Sequence, residues 1–178
     1  IYQPWLDALG AEMPTTTEEF QALLKQVAET DLNGNGKHDE IPLVGAQLSS
    51  DKGKWFNYLM NGYTYSGTTN YLAVNNGKVS AAYTTDEWKE GLRYIKGLID
   101  DGSLISESLT MTDDQYSAIL NAEEHTVFAL CHTTPSTVTD KEIREGYRIV
   151  EPLIGPDGAQ YAWYSPTQVL HMMVITSN

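Results

Sequence analysis

At 178 residues, 41% of them hydrophobic and four of them tryptophan, the chain is long enough for one domain with a proper core and short for two. Its 24 acidic residues against 11 basic ones give a formal charge of −13, which repels phosphate and excludes nucleic acid and anionic membrane as partners. No apolar run reaches the roughly 18 to 20 residues of a membrane span, and nothing resembles a signal peptide. Because the first residue is Ile1 and not methionine, an upstream segment is expected, and any export signal would lie there.

The first helix is predicted in "PWLDALG", with Trp5, Leu6 and Leu9 as its apolar residues and Gly10 as its stop. A second follows, capped by Thr16 or Thr17, with Glu18 and Glu19 in its first turn and Phe20, Leu23, Leu24 and Val27 on one face. "IPLVGAQ" has the length of a buried strand, and "KWFNYLMNG" reads as a helix ending at Gly62. "YLAVNNGKVSAAY" is a hairpin built around Asn75-Asn76-Gly77. The next helix is capped at Thr84 or Thr85 and ends at Gly102, with Trp88, Leu92, Ile95 and Leu98 or Ile99 at core spacing.

"TDDQYSAILNAEE" is a further helix and "HTVFALCHTT" a buried strand, in which Cys131 is expected as a packed thiol without chemistry. "STVTDKEIREGY" is read as helical, "RIVEPLIGPDG" as a strand running into a turn, and the last residues as one or two late strands with no closing helix, as though the natural chain continued. Strands alternating with helices give an α/β class with a mixed or mainly parallel sheet flanked by helices.

Between the second helix and the first strand lies "DLNGNGKHDE", residues 31 to 40. Calcium takes six to eight oxygens, and a loop can offer side chains at positions 1, 3, 5 and 9 with a carbonyl at 7. Counted from Asp31, these are Asp31, Asn33, Asn35, the carbonyl of Lys37, and Asp39, with Gly36 at the sharp turn. Position 12 is Pro42 and not the bidentate glutamate of an EF-hand, so Glu40 is the only nearby carboxylate able to replace it. A structural calcium ion is the favoured reading, because three carboxylates this close repel one another without a counter-ion. A solvated Asn-Gly turn is the alternative.

The stretch "WLDALGAEMPTTTEEFQALLKQVAETDLNGNGKHDEIPL" resembles extracellular solute-binding proteins of ABC transporters, in the sugar-binding family that includes alginate oligosaccharide-binding lipoproteins. "NNGKVSAAYTTDEWKEGLRYIKGLIDDGSLI" and "EPLIGPDG" carry the likeness further along the chain. The resemblance implies calcium ligands at Asp31, Asn33, Asn35, Lys37, Asp39 and Glu40, with the Asp-Glu pair serving in place of position 12. It also implies a type II periplasmic-binding-protein fold, in which two α/β lobes close on a solute. On this view residues 1–178 are a single lobe, the second, excised from a protein more than twice as long. A bacterial cell-surface location, a lipid anchor on the missing N-terminal part as the sole membrane link, and permease subunits as partners are implied as well.

Sugars are held by aromatic faces with polar groups reading their hydroxyls. Trp5 and Trp88 fall at core spacing. The candidate contacts are Trp55, Tyr58 and Tyr63 in "WFNYLMNGYTY", together with neighbouring Tyr65; Trp163 and Tyr164 beside Tyr161 in "YAWYS"; and His132, where a buried strand ends. The expected solute is a neutral oligosaccharide, with peptide in reserve. Asp100-Asp101 and Asp113-Asp114 are adjacent pairs that suit helix ends better than a scissile bond, and nucleophile-elbow, P-loop and zinc spacings are absent, so no enzyme is expected. The other readings are a calcium-stabilised extracellular protein-interaction module and a fragment of a secreted polysaccharide-degrading enzyme.

Overall fold

The computed structural model describes residues 1–49, 54–65, 67, 71–75, 77–132 and 135–162. Six helices and four strands follow in the order α1 (Gln3–Ala8), α2 (Thr17–Ala28), β1 (Ile41–Val44), α3 (Trp55–Met60), β2 (Leu72–Asn75), β3 (Lys78–Ala81), α4 (Asp86–Asp100), α5 (Asp113–Leu120), β4 (Val127–Leu130) and α6 (Lys141–Gly146), among the described residues. The late strands expected beyond Ala162 lie outside them.

Two pairings carry the α/β character. β1 and β4 are parallel, with Ile41 opposite Val127 and Leu43 opposite Ala129. β2 and β3 form the expected antiparallel hairpin, closed between Asn75 and Lys78, with Gly77 in the left-handed region at φ +76°. A parallel pair needs a crossover and cover on both faces, and the burial follows that rule. Leu43 and Phe128 enter one core with Trp5, Leu6, Phe20, Leu24, Trp55, Leu59, Trp88, Leu98 and Leu153. Val44 and Val127 enter a second core with Met111, Tyr116, Leu120 and Val138.

Local chemistry explains the helix starts. Thr16 Oγ1 accepts the N–H of Glu19 at 3.1 Å while Glu19 Oε2 accepts that of Thr16 at 3.2 Å, a capping box that satisfies two orphan donors of α2. Thr112 and Gln115 repeat the device at α5. Thr85, the second of the two expected candidates, caps α4. Phe20, Leu23, Leu24 and Val27 are all buried, as their spacing requires.

Two expectations are corrected. Leu92 is 41% exposed, because the buried seam of α4 runs through Trp88, Gly91, Ile95 and Leu98. Met60 of α3 presses against Gly91, where a Cβ would meet its Sδ at 2.6 Å, and this displaces Leu92 to the rim. Residues 148–154 form no strand: an isolated bridge joins Ile154 to Thr16, and the turn beyond it closes with Gly155 N–H donating to the Ala159 carbonyl at 2.8 Å. With Pro152 in this stretch, a continuous ladder would lack a donor.

Candidate functional site

The acidic loop is held by its own side chains. Asp31 Oδ1 accepts the N–H groups of Gly34 (2.8 Å) and Asn35 (3.1 Å), and Oδ2 accepts that of Gly36 (2.8 Å). Gly34 and Gly36 stand at φ +74° and +81°, a conformation that only glycine adopts without strain. Asn33 Oδ1 accepts from Asn35 N–H and Asn35 Oδ1 from Lys37 N–H. The amide groups of Asn33 and Asn35 donate to Asp39 at 3.2–3.3 Å.

Glu40 is 8% exposed. Its Oε1 accepts from Leu32 N–H (2.6 Å) and Asn33 N–H (3.1 Å), whereas its Oε2 is buried without a partner. An unpaired buried carboxylate oxygen is costly and asks for a counter-charge. In this conformation the described residues contain no group of three or more carboxylate, histidine or cysteine side chains converging as metal ligands. Asp31 faces the backbone, and Asp39 accepts the amide donors of Asn33 and Asn35. The donor set nevertheless suits a hard cation: turning either amide about Cβ–Cγ exchanges its N–H₂ for an oxygen.

Beside the loop, His125 is enclosed by Tyr2, Trp5 and Tyr147, with ring centroids at 4.5, 5.0 and 6.0 Å. Burial pushes its pKa down to about 4, against the opposing charge of Asp140. Cys131 is likewise governed by burial, which pushes the thiol up to about 12 and leaves it inert at neutral pH.

The predicted aromatic contacts separate on inspection. Trp55 is fully buried: its indole N–H donates to the Ala46 carbonyl at 2.8 Å, and a Cβ on Gly45 would stand 2.0 Å from the ring. It is therefore a core residue, because the backbone after β1 folds back over it. Tyr58 is half-buried, its hydroxyl donates to the Glu151 carbonyl at 3.2 Å, and burial holds the phenol well above its ordinary pKa.

Tyr63 lines an open pocket of about 350 Å³ with Glu18, Gln21, Glu90, Arg93 and Tyr94. Its ring lies 5.5 Å from that of Tyr94, whose hydroxyl donates to the Thr17 carbonyl at 2.9 Å. Arg93 and Glu90 are ion-paired on the rim. The volume falls at the lower end of small-molecule sites. His132 belongs elsewhere, against the second core: it stacks on Tyr116 at 6.4 Å, with Thr137 Oγ1 3.0 Å from Nε2. Trp163 and Tyr164 lie outside the described residues.

Tyr94 was not singled out by the sequence reasoning. Its signal was the glycine three positions before it, since Gly91 inside a helix marks a close approach by another element.

Comparison with known proteins places these features. The chain is 29% identical over 162 residues to the fructooligosaccharide ABC transporter substrate-binding protein FusA of Streptococcus pneumoniae, which takes in 90% of the chain and 29% of FusA. The solved structure of the FusA EF-hand mutant in complex with fructo-nystose superposes with a TM-score of 0.78 at 26% identity, over 90% of the chain and 32% of the mutant. Over nine-tenths of its length the chain is thus similar to a segment of an ABC transporter substrate-binding protein.

A further relative, lipoprotein LipO of Bacillus subtilis, is 34% identical over 119 residues, 64% of the chain and 22% of LipO. The chain thus spans less than a third of the curated relatives it matches. Its architecture is theirs, a mixed α/β arrangement with a parallel pair between helices. No protein-family model matches the chain.

Proposed function

We propose that this chain forms one α/β lobe of a cell-surface receptor that captures a neutral oligosaccharide for import by an ABC transporter. The observation that carries the reading is the likeness to FusA along nine-tenths of the chain, since FusA is named for fructooligosaccharide. The charge of −13 and the carboxylates of Glu18 and Glu90 beside Tyr63 favour a solute without negative charge. In the whole protein a lipid anchor supplies the membrane link, and permease subunits receive the solute. Solute binding, not catalysis, is the role of this lobe. Asp100 is ion-paired with Lys96, Asp101 with Lys25, and Asp113 and Asp114 occupy the first turn of α5, so neither adjacent pair is arranged for acid and base work.

The acidic loop is assigned a structural calcium ion, held by Asp31, Asn33, Asn35, the Lys37 carbonyl, Asp39 and Glu40. The ion supplies the counter-charge that Glu40 Oε2 lacks and fixes the junction between α2 and β1. The buried oxygen favours this over a solvated turn.

Thermal unfolding of the full-length protein tests both parts. Calcium at about 100 times its dissociation constant should stabilise the fold by roughly 2.7 kcal/mol, a rise of a few degrees. Magnesium should give less, and Asp31→Ala should abolish the response. A neutral oligosaccharide should add a second, independent rise. If calcium changes nothing, the loop is a plain turn; if no saccharide in a broad panel binds, the receptor reading fails.

A further inference from the structure

Asn-Gly stands at residues 33–34, 35–36, 61–62 and 76–77, and Asn76 lies outside the described residues. In an unconstrained chain this dipeptide is the one most prone to deamidation, because glycine has no Cβ to keep its backbone nitrogen from the side-chain amide carbon before it. Asn61 is closed off by burial: it is 9% exposed, and Gly62 packs on Gly155. The two pairs in the acidic loop have no such cover, since Asn33 and Asn35 are half-buried and Gly34 and Gly36 exposed.

In the loop, hydrogen bonds hold both reacting partners instead. Asp31 takes the two nucleophiles, its Oδ1 accepting the N–H of Gly34 and its Oδ2 that of Gly36, both at 2.8 Å. The electrophiles are held at each end. Asn33 Oδ1 accepts from Asn35 N–H at 3.0 Å and Asn35 Oδ1 from Lys37 N–H at 2.8 Å, while both Nδ2 groups donate to Asp39. Ring closure needs the glycine nitrogen out of its bond and the amide carbon turned to face it, so several bonds must break together before reaction starts.

We propose that Asn33 and Asn35 are a pair of latent modification sites, which Asp31 keeps closed and which any opening of the loop exposes to deamidation. The glycine nitrogen loses its proton to solvent hydroxide and bonds to Cγ of the asparagine. The Cγ–Nδ2 bond breaks, and Nδ2 takes a proton from water and leaves as ammonia, forming a succinimide. Water then opens either ring C–N bond to give aspartate or isoaspartate. Both products add a carboxylate to those of Asp31, Asp39 and Glu40, and isoaspartate also lengthens the main chain by one carbon, which destroys the spacing of residues 31 to 40. Asp31 thereby sets the chemical lifetime of the loop.

The test is a time course of the full-length protein at mildly alkaline pH with a chelator present, so that no bound ion contributes, with each Asn-Gly peptide resolved by mass spectrometry into amide and acid forms. Asn33 and Asn35 should deamidate at least about ten-fold more slowly in the native protein than in urea. Asp31→Ala should raise the native rate at both positions at least about five-fold, with Asn61 unchanged. Asp31→Asn keeps the shape of the side chain but only one acceptor oxygen, and should release one of the two pairs even where the alanine variant fails to fold. A native rate equal to that in urea would overturn the proposal, as would folded Asp31 variants in which neither loop asparagine accelerates. Equal acceleration at Asn61 in both variants would make the protection global and overturn the assignment of the lock to Asp31.

Discussion

The acidic loop and the aromatic surface are both irregular backbone at the margin of the same core, and they are held in opposite ways. In the loop, Asp31, Asn33, Asn35, Asp39 and Glu40 bind donors within residues 31–40; the contact of Asn33 with the His125 carbonyl, at 3.5 Å, is the long-range exception. On the aromatic surface the fastenings join distant positions: Asn61 to Tyr161, Gly62 to Gly155, Thr17 to Tyr94. A site closed on itself survives damage elsewhere in the fold. A site assembled across the fold shares its stability, and loses geometry when any part of the core loosens.

Damage to the core should therefore separate the two. Trp55→Ala removes a fully buried indole and should cost about 3–5 kcal/mol in urea unfolding. Among molecules that remain folded, saccharide affinity should fall while the calcium response persists. Gly155→Ala places a methyl group against the Gly62 carbonyl and should cost about 1–3 kcal/mol. Here the saccharide should be lost first, with calcium binding unaltered; equal loss of both would break the contrast.

A pH series addresses the packing beside the acidic loop. Because burial lowers the pKa of folded His125 to about 4 from an ordinary 6.5, the unfolded chain takes up its proton first. The contribution of His125 is then complete above pH 6.5, declines as pH falls towards 4, and is constant below that. Thermal scans of His125→Asn should show a shallower acid slope over this interval than the wild type. The mildest change is Thr16→Ala, which breaks the capping box for about 1 kcal/mol and should leave both sites intact by titration.

What could be read from the sequence divides along the same line. The capping box at Thr16, the hairpin at Gly77 and the seam of α2 are short-range patterns, and each stands where its spacing places it, whereas the oxygens of Asp31 and Asp39 accept from backbone and amide donors of their own loop. Trp55 looked like a loop aromatic because nothing near it shows that Gly45 and Ala46 fold over its ring. The exposure of Leu92 depends on where Met60 arrives, and the pairing of Tyr65 with Tyr161 on a glycine contact across the fold. No local periodicity encodes such meetings.

The parallel pairing of β1 with β4 carries a kinetic consequence. Ile41 must find Val127, so α3, the hairpin, α4 and α5 all lie within the interval that this contact closes. Contacts of such separation are reached late, because the entropy of closing the chain is spent before any of them forms. The helices and the acidic loop can assemble from neighbours in microseconds. Refolding is then timed by the docking of one four-residue strand against another, and substitutions in β4 should slow folding more than equally destabilising ones in α2.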